Sequence, residues 1–410
     1  MVFGELSIRP SVEARNQLVE DAMRHYSALG FVHQTAEDDH NDGRHVTLRG
    51  RRLVNFGSCS YLGLETDERV KQGACDAVRR FGTQFSSSRA YVSTALYAEF
   101  EALLEQIVRA PLVVTQTTSL GHLGVLPVLI SENDAVLYDV LVHASVQAVL
   151  PTLRGAGIEC KAVPHSHLHR LERALCELER THERVWLLLD GVYSMHGDVA
   201  PLDELFELQA RHPRLYLYID DAHGVSWTGA RGAGTVLGAR AMRPRSVVAL
   251  GLSKAFAASG AAFVFSDEAT RDRVRHCAST LIFSGPLQPA LLGAGIASAK
   301  IHLSDELVTL QRALLQRIGL FNELSLDAGL KIRGDSLTPI RFVEAGPEEL
   351  ATELAQSAFD AGYYANLSMF PAVPRRRAGM RVMLTTHQTE QDIVGLVTAL
   401  AERQPHSHVR

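Results

Sequence analysis

Short apolar runs recur through the middle of the chain, at residues 112–115, 135–138, 159–163, 185–190, 215–220, 247–251 and 261–265. They are too short for helices and largely unbroken, the pattern of strands buried on both faces. Between them lie amphipathic stretches such as 168–180 and 202–211, of a length suited to crossover helices. The alternation predicts an α/β fold built on a mostly parallel sheet of about seven strands. Upstream, a helical pattern over 12–29 leads into a polar stretch at 35–44, so residues 1–50 read as an N-terminal arm. Downstream of Gln288 the texture changes. A long helical region from Ala290 to about Leu324 precedes a strand-like run at 337–343, a helix at 347–361, a strand at 381–385 and a helix at 390–403. The expected division is therefore an arm (1–50), a large α/β domain (51–290) and a smaller α+β C-terminal domain (291–410).

Composition narrows the class without naming it. Over 410 residues, a hydrophobic share of 46% and a charged share of 21% are those of a globular protein, not of a disordered chain or a fibre. A net charge of −5 gives no electrostatic reason to expect nucleic acid or an anionic membrane as partner. No apolar stretch has the length of a membrane span, and Met1-Val-Phe-Gly-Glu-Leu lacks the basic start of a secretory signal. Cys59, Cys75, Cys160, Cys176 and Cys277 are scattered without CxxC pairs, which fits reduced thiols and a cytoplasmic location. The tail Gln404-Pro-His-Ser-His-Val-Arg410 alternates histidines but has no second ligand cluster, so no metal site is expected.

Three segments carry candidate chemistry. In Tyr216-Leu-Tyr-Ile-Asp-Asp-Ala-His-Gly224 an apolar strand ends in Asp220 and Asp221 and then reaches His223. Ligands in open α/β sheets bind at the carboxyl ends of strands, so these groups emerge where a cofactor would sit. Strand-end acids that cap the following helix are an equally good reading of that segment alone. In Val248-Ala-Leu-Gly-Leu-Ser-Lys254-Ala-Phe-Ala-Ala-Ser-Gly260 an apolar strand runs into a lysine among small residues. Lysine is the usual former of Schiff bases with carbonyl cofactors, although a strand-end lysine also snorkels to solvent. The segment 189–202, with Ser194 and His196 after a strand, reads by itself as a turn, and His143 is a lone histidine.

Taken in order, these pieces resemble the α-oxoamine synthase family of pyridoxal-phosphate enzymes. The resemblance runs from about Leu53 to Val397 and also includes Asn55-Phe-Gly-Ser-Cys-Ser-Tyr-Leu-Gly-Leu64, Ser88-Arg89, His143-Ala-Ser and Arg381-Val-Met-Leu-Thr-Thr. It implies a fold type I pyridoxal-phosphate-dependent transferase, aspartate-aminotransferase-like, and a decarboxylative Claisen condensation of an α-amino acid with an acyl thioester. Lys254 would carry pyridoxal 5'-phosphate and later move the Cα proton, and Asp220 would pair with the ring nitrogen. His223 and Ser194 would bond the phenolic oxygen, and His143 would stack on the ring. Arg381 would bind the amino-acid carboxylate, with Cys59 and Arg89 near the substrate.

The chain departs from the family pattern in several places. Thr117-Thr118-Ser119 stands where a Ser-Gly-aromatic segment is usual, and Gly251 replaces a threonine, leaving Ser253, Thr118 or Ser119 to supply the lost hydroxyl. Ser284-Gly285 replaces a Ser-Thr pair expected to reach the phosphate across a homodimer, and Cys59 replaces an asparagine. The run Arg375-Arg376-Arg377 would suit the phosphates of coenzyme A or an acyl carrier protein, but such a run is more often a solvated loop. An aminotransferase, an aldolase-type enzyme or a lyase would use the same scaffold. A non-catalytic synthase subunit would be expected to lose the lysine.

Overall fold

The protein is described from a computed structural model that covers residues 11–334 and 336–402. The first ten residues and the histidine-bearing tail lie outside the described residues. Among the described residues, fourteen strands run in chain order. They are β1 (His45–Leu48), β2 (Arg51–Asn55), β3 (Leu112–Thr115), β4 (Asp134–Asp139), β5 (Glu159–Val163), β6 (Arg184–Asp190) and β7 (Leu215–Asp220). Then come β8 (Ser246–Gly251), β9 (Ala261–Phe265), β10 (Ile332–Arg333), β11 (Ile340–Gly346), β12 (Tyr363–Tyr364), β13 (Asn366–Ser368) and β14 (Ala378–Met383). Contacts group the chain into two units. The larger is Leu64–Tyr193 with Val199–Gln311; the other gathers the described parts of Met1–Gly63 and Arg312–Arg410 with Ser194–Asp198.

The larger unit is built on a seven-stranded sheet of order β3-β9-β8-β7-β6-β4-β5, so all seven apolar runs form strands. Neighbours are parallel except at β9, which is antiparallel to both β3 and β8. The runs do not alternate because helices cover the sheet: Val113, Leu217, Val248 and Phe263 are all fully buried. The helix Leu168–Leu178 presents Leu171, Leu175 and Leu178 to the core, and Leu202–Arg211 presents Leu205, Phe206 and Leu208. Register matters for the chemistry. Asp190 at the end of β6 is paired directly with Asp220 at the end of β7, so two acids leave the sheet side by side.

The other unit holds an antiparallel sheet of order β10-β11-β14-β13 and a small sheet β1-β2-β12 in which β12 runs parallel to β2. The helices Glu348–Asp360 and Glu390–Ala401 belong to it, the latter begun by a capping box between Thr389 and Asp392. Arg44 donates to both carboxylate oxygens of Asp392 at 2.9 and 2.8 Å. That fork, with the β2–β12 pairing, draws the described part of the expected arm into this unit instead of leaving it apart. The helical region expected from Ala290 to about Leu324 divides into Pro289–His302 and Glu306–Asp327. The first packs against Glu68–Phe81 and Ala95–Val108, so contacts divide the chain at Gln311 rather than near residue 290. Among the described residues no helix is long and apolar enough to cross a membrane.

Candidate active site

Asp220 is the centre of the larger unit's polar cluster. It closes β7 at 5% exposure, following strand residues buried on both faces. Its Oδ1 accepts the Ala222 amide at 3.0 Å, and its Oδ2 lies 3.0 Å from Nε2 of His122, a fully buried histidine on the helix Thr118–Leu129. Nδ1 of His122 meets the Tyr218 hydroxyl at 2.7 Å. Burial alone would raise the Asp220 carboxyl. The His122 hydrogen bond and charge, with the charges of Lys254 and His143, outweigh it and hold the group low, at about 2. Its neighbour Asp190 goes the other way, well above the usual carboxylate range, because of its own burial and the charge on Asp220. Two adjacent carboxyl groups are thus driven apart, with the ionised one at position 220.

Asp221 does different work. Its carboxylate accepts from Thr235 Oγ1 at 2.5 Å and from the amides of Thr235 and Val236 at 2.8 and 3.2 Å. Burial pushes it up to about 7 against those donors. The capping reading of the Asp-Asp pair therefore holds for Asp221. Gly251, where the family pattern suggested threonine, closes β8 beside this turn. A Cβ there would meet Cβ of Ala222 at 2.7 Å, so the turn that follows Asp220 packs where a side chain would stand.

Lys254 sits half-buried in the loop between β8 and β9. The loop is closed by the Ala257 amide on the Lys254 carbonyl (2.9 Å) and by the Ala258 amide on Leu252 (3.0 Å), with Ala257 at φ 57°. Ser298 donates to the Phe256 carbonyl at 2.5 Å and anchors the loop from the helix Pro289–His302. The Lys254 charge acts on Asp220, Asp190 and His143 alike, so these four groups share one neighbourhood.

Of the other expected residues in this unit, His143 is partly open to solvent, and its amide donates to Asp190 Oδ1 at 3.0 Å. The protein crowded around it, and then the Lys254 charge, lower its pKa. His223 is buried, with its carbonyl accepting Nε1 of Trp227 at 2.6 Å. Thr118 and Ser119 occupy the first turn of a helix capped by Thr117, whose Oγ1 accepts the Leu120 amide at 3.1 Å. Ser253 is exposed next to Lys254, as is Gly285 next to Ser284, whose hydroxyl donates to Gln116 Oε1 at 2.8 Å. Arg89, expected near the substrate, has its contacts within the fold. Its guanidinium donates to the Val114 carbonyl (2.7 Å) and Glu101 (2.9 Å) and lies 3.9 Å over the Tyr97 ring, so it is committed to the fold.

The remaining expected residues gather in the other unit. Arg381 lies on β14 and donates through Nε to the Ser194 carbonyl at 2.6 Å, and its second nitrogen is 3.9 Å from the Cys59 sulfur. Three residues far apart in sequence thus meet around one half-buried guanidinium.

The larger unit's donor set suits pyridoxal phosphate. An ionised, buried carboxylate answers a cationic ring nitrogen, and a lysine in the same neighbourhood answers an aldehyde. A helix begins at Thr118 with first-turn amides and hydroxyls, as a phosphate requires. Sequence reading missed His122 and gave Asp190 no role. The available signal for His122 was a histidine inside the otherwise apolar segment Leu120-Gly-His-Leu-Gly-Val-Leu126, where a buried imidazole needs partners.

Comparison with known proteins adds an independent line. The aminotransferase class I and II family matches residues 51–400. The 8-amino-7-oxononanoate synthase of Symbiobacterium thermophilum is 31% identical over 358 residues, covering 87% of this chain and 89% of that protein. That of Coprothermobacter proteolyticus is 30% identical over 355 residues, covering 86% and 88%. The fold matches serine palmitoyltransferase from S. paucimobilis, solved with a bound PLP–myriocin aldimine, at a TM-score of 0.86 and 20% identity over 96% of this chain and 98% of that one. It also matches 8-amino-7-oxononanoate synthase from Francisella tularensis, at a TM-score of 0.71 and 21% identity over 85% and 97%.

Proposed function

The chain belongs to the aminotransferase class I and II family and, within it, to the α-oxoamine synthases, and from that footing we propose that it joins an α-amino acid to an acyl thioester with loss of carbon dioxide. The observation that carries this reading is the buried Asp220 carboxylate, held ionised at the end of β7 within the field of Lys254. Pyridoxal phosphate, when bound, supplies an aldehyde for an amine and an electron-withdrawing ring that stabilises negative charge at Cα.

The protein's own groups supply the rest. Asp220 holds its charge where a cationic ring nitrogen would accept it, and Lys254 anchors the cofactor and moves the Cα proton. The first turn at Thr118 and Ser119, with Ser253, Ser284 and Gly285, is assigned to the phosphate, and His143, His223 and Ser194 to the ring and its phenolic oxygen. Arg381, its orientation set by the Ser194 carbonyl, offers its remaining donors to the amino-acid carboxylate, with Cys59 beside it. In the overall balance a bond forms between Cα and the acyl carbon and the C–S bond breaks, expelling the thiol. The amino-acid carboxyl leaves as carbon dioxide, and Cα regains a proton. The test is a panel of amino acids and acyl thioesters, with coenzyme A and carrier-protein donors compared. Thiol and carbon dioxide should appear in equal amounts and only when both substrates are present. Transfer of the amino group to a keto acid without thiol release would favour the aminotransferase reading.

We assign the homodimer to the face around Ser284. Tyr91 and Phe283 are each 86% exposed, and Val92 is exposed beside them. Ser88 Oγ donates to the Ile282 carbonyl at 2.5 Å, so the two apolar segments adjoin. Exposed aromatics clustered in this way mark an association surface. Sedimentation should therefore give a dimer, and Phe283→Asp should shift it to monomer with weakened cofactor retention. An active, fully monomeric wild type would refute the shared site.

A further inference from the structure

Gly121 precedes His122 on a helix pressed closely against the sheet. A Cβ at position 121 would fall 1.9 Å from the Phe263 ring, so only glycine permits that approach. The His122 imidazole then lies edge-on to Tyr218 and Phe263, with centroids 5.7 and 5.5 Å away, and bridges Tyr218 to Asp220. On the Asp220 side Nε2–H donates to Oδ2, and on the other side Nδ1 meets the Tyr218 hydroxyl, which can donate to the neutral ring or accept from the cation. A carboxylate has about four acceptor sites. The Ala222 amide and His122 use two, which leaves capacity for a third donor.

We propose that His122 is a positioning residue that aims and holds the Asp220 carboxylate for the cationic ring nitrogen of pyridoxal phosphate, with Tyr218 orienting the imidazole. The inference rests on the cofactor assignment above. It also has a consequence in pH. Lys254, His143 and Asp190 act on Asp220 from other elements, Asp221 adjoins it in the chain, and all four remain in any His122 variant. Without His122 the burial of Asp220 is less opposed, so the carboxyl takes up a proton at higher pH and loses its hold on the ring nitrogen there.

The test is equilibrium binding of pyridoxal phosphate to purified wild type, His122→Phe, His122→Gln and Tyr218→Phe, across acid to neutral pH, beside thermal melts of each protein without cofactor. For His122→Phe, affinity should fall about tenfold or more, the worth of a hydrogen bond to a buried charge, and the acid edge of binding should move to higher pH. His122→Gln, which restores an N–H at a similar reach, should recover most of the affinity and the acid edge. Tyr218→Phe, a single-atom deletion that keeps the core filled, should weaken binding in the same direction and serves if His122→Phe does not fold. Wild-type affinity and an unmoved acid edge in both His122→Phe and Tyr218→Phe would overturn the proposal. So would equal losses in His122→Phe and His122→Gln, which would reduce His122 to packing. If wild type itself bound no pyridoxal phosphate, the cofactor assignment would fall first and this inference with it.

Discussion

Lys254→Ala is expected to remove activity almost completely, lowering the rate of thiol release by about 10³-fold or more, at the upper part of the range for a positioned proton-transfer group. The lysine has two assigned duties, anchoring the cofactor and moving the Cα proton, and its charge acts on Asp220, Asp190 and His143 alike. The protein should nevertheless fold. Lys254 is half-buried in a loop held by its own turn hydrogen bonds and by Ser298, none of which needs the side chain. Two measurements check the prediction together. Melting should be close to wild type, and borohydride should fix pyridoxal phosphate covalently to wild type but not to the variant. Thiol release within tenfold of wild type would place the chemistry elsewhere.

Asp220→Asn should be nearly as severe, with a loss of roughly 10²–10³-fold in kcat/KM, the magnitude seen when a preorganised electrostatic partner is removed. The shape is preserved but the charge is not, and the new amide faces His122 Nε2–H donor to donor unless one of the rings or amides turns. The same substitution carries a pH signature. In the folded protein the Asp220 carboxyl is held below its ordinary value, because His122, Lys254 and His143 favour the ionised form despite burial. Its contribution to stability is therefore present above the ordinary carboxylate range and is lost as pH falls towards about 2. The melting difference between wild type and Asp220→Asn should be largest near neutrality and shrink through acid pH. A difference that grew on acidification would mean that Asp220 is protonated in the fold.

The fold was largely legible because its determinants are local. Seven short, largely apolar runs separated by amphipathic stretches leave few alternatives to a covered, mostly parallel sheet, and all seven are strands. What periodicity could not give was grouping. The bidentate Arg44–Asp392 contact spans 348 positions, and nothing in the sequence around 35–44 indicates that it belongs with the C-terminal helix. The site was legible in part for a similar reason. Strand-end residues such as Asp220 and the lysine after β8 stand in recognisable local contexts, and the family resemblance supplied their order.

The sequence by itself therefore determined the strands, their crossover helices, and the candidate lysine and acids at the strand ends, since short apolar runs and a periodicity of about 3.6 residues are written along the chain. Only the tertiary structure decided which acid is ionised, that Arg89 is committed to Glu101, and that a histidine 98 positions away stands behind Asp220. Those outcomes depend on burial and on distances of a few ångströms between segments brought together by sheet order and close glycine contacts, and neither quantity exists until the chain has folded.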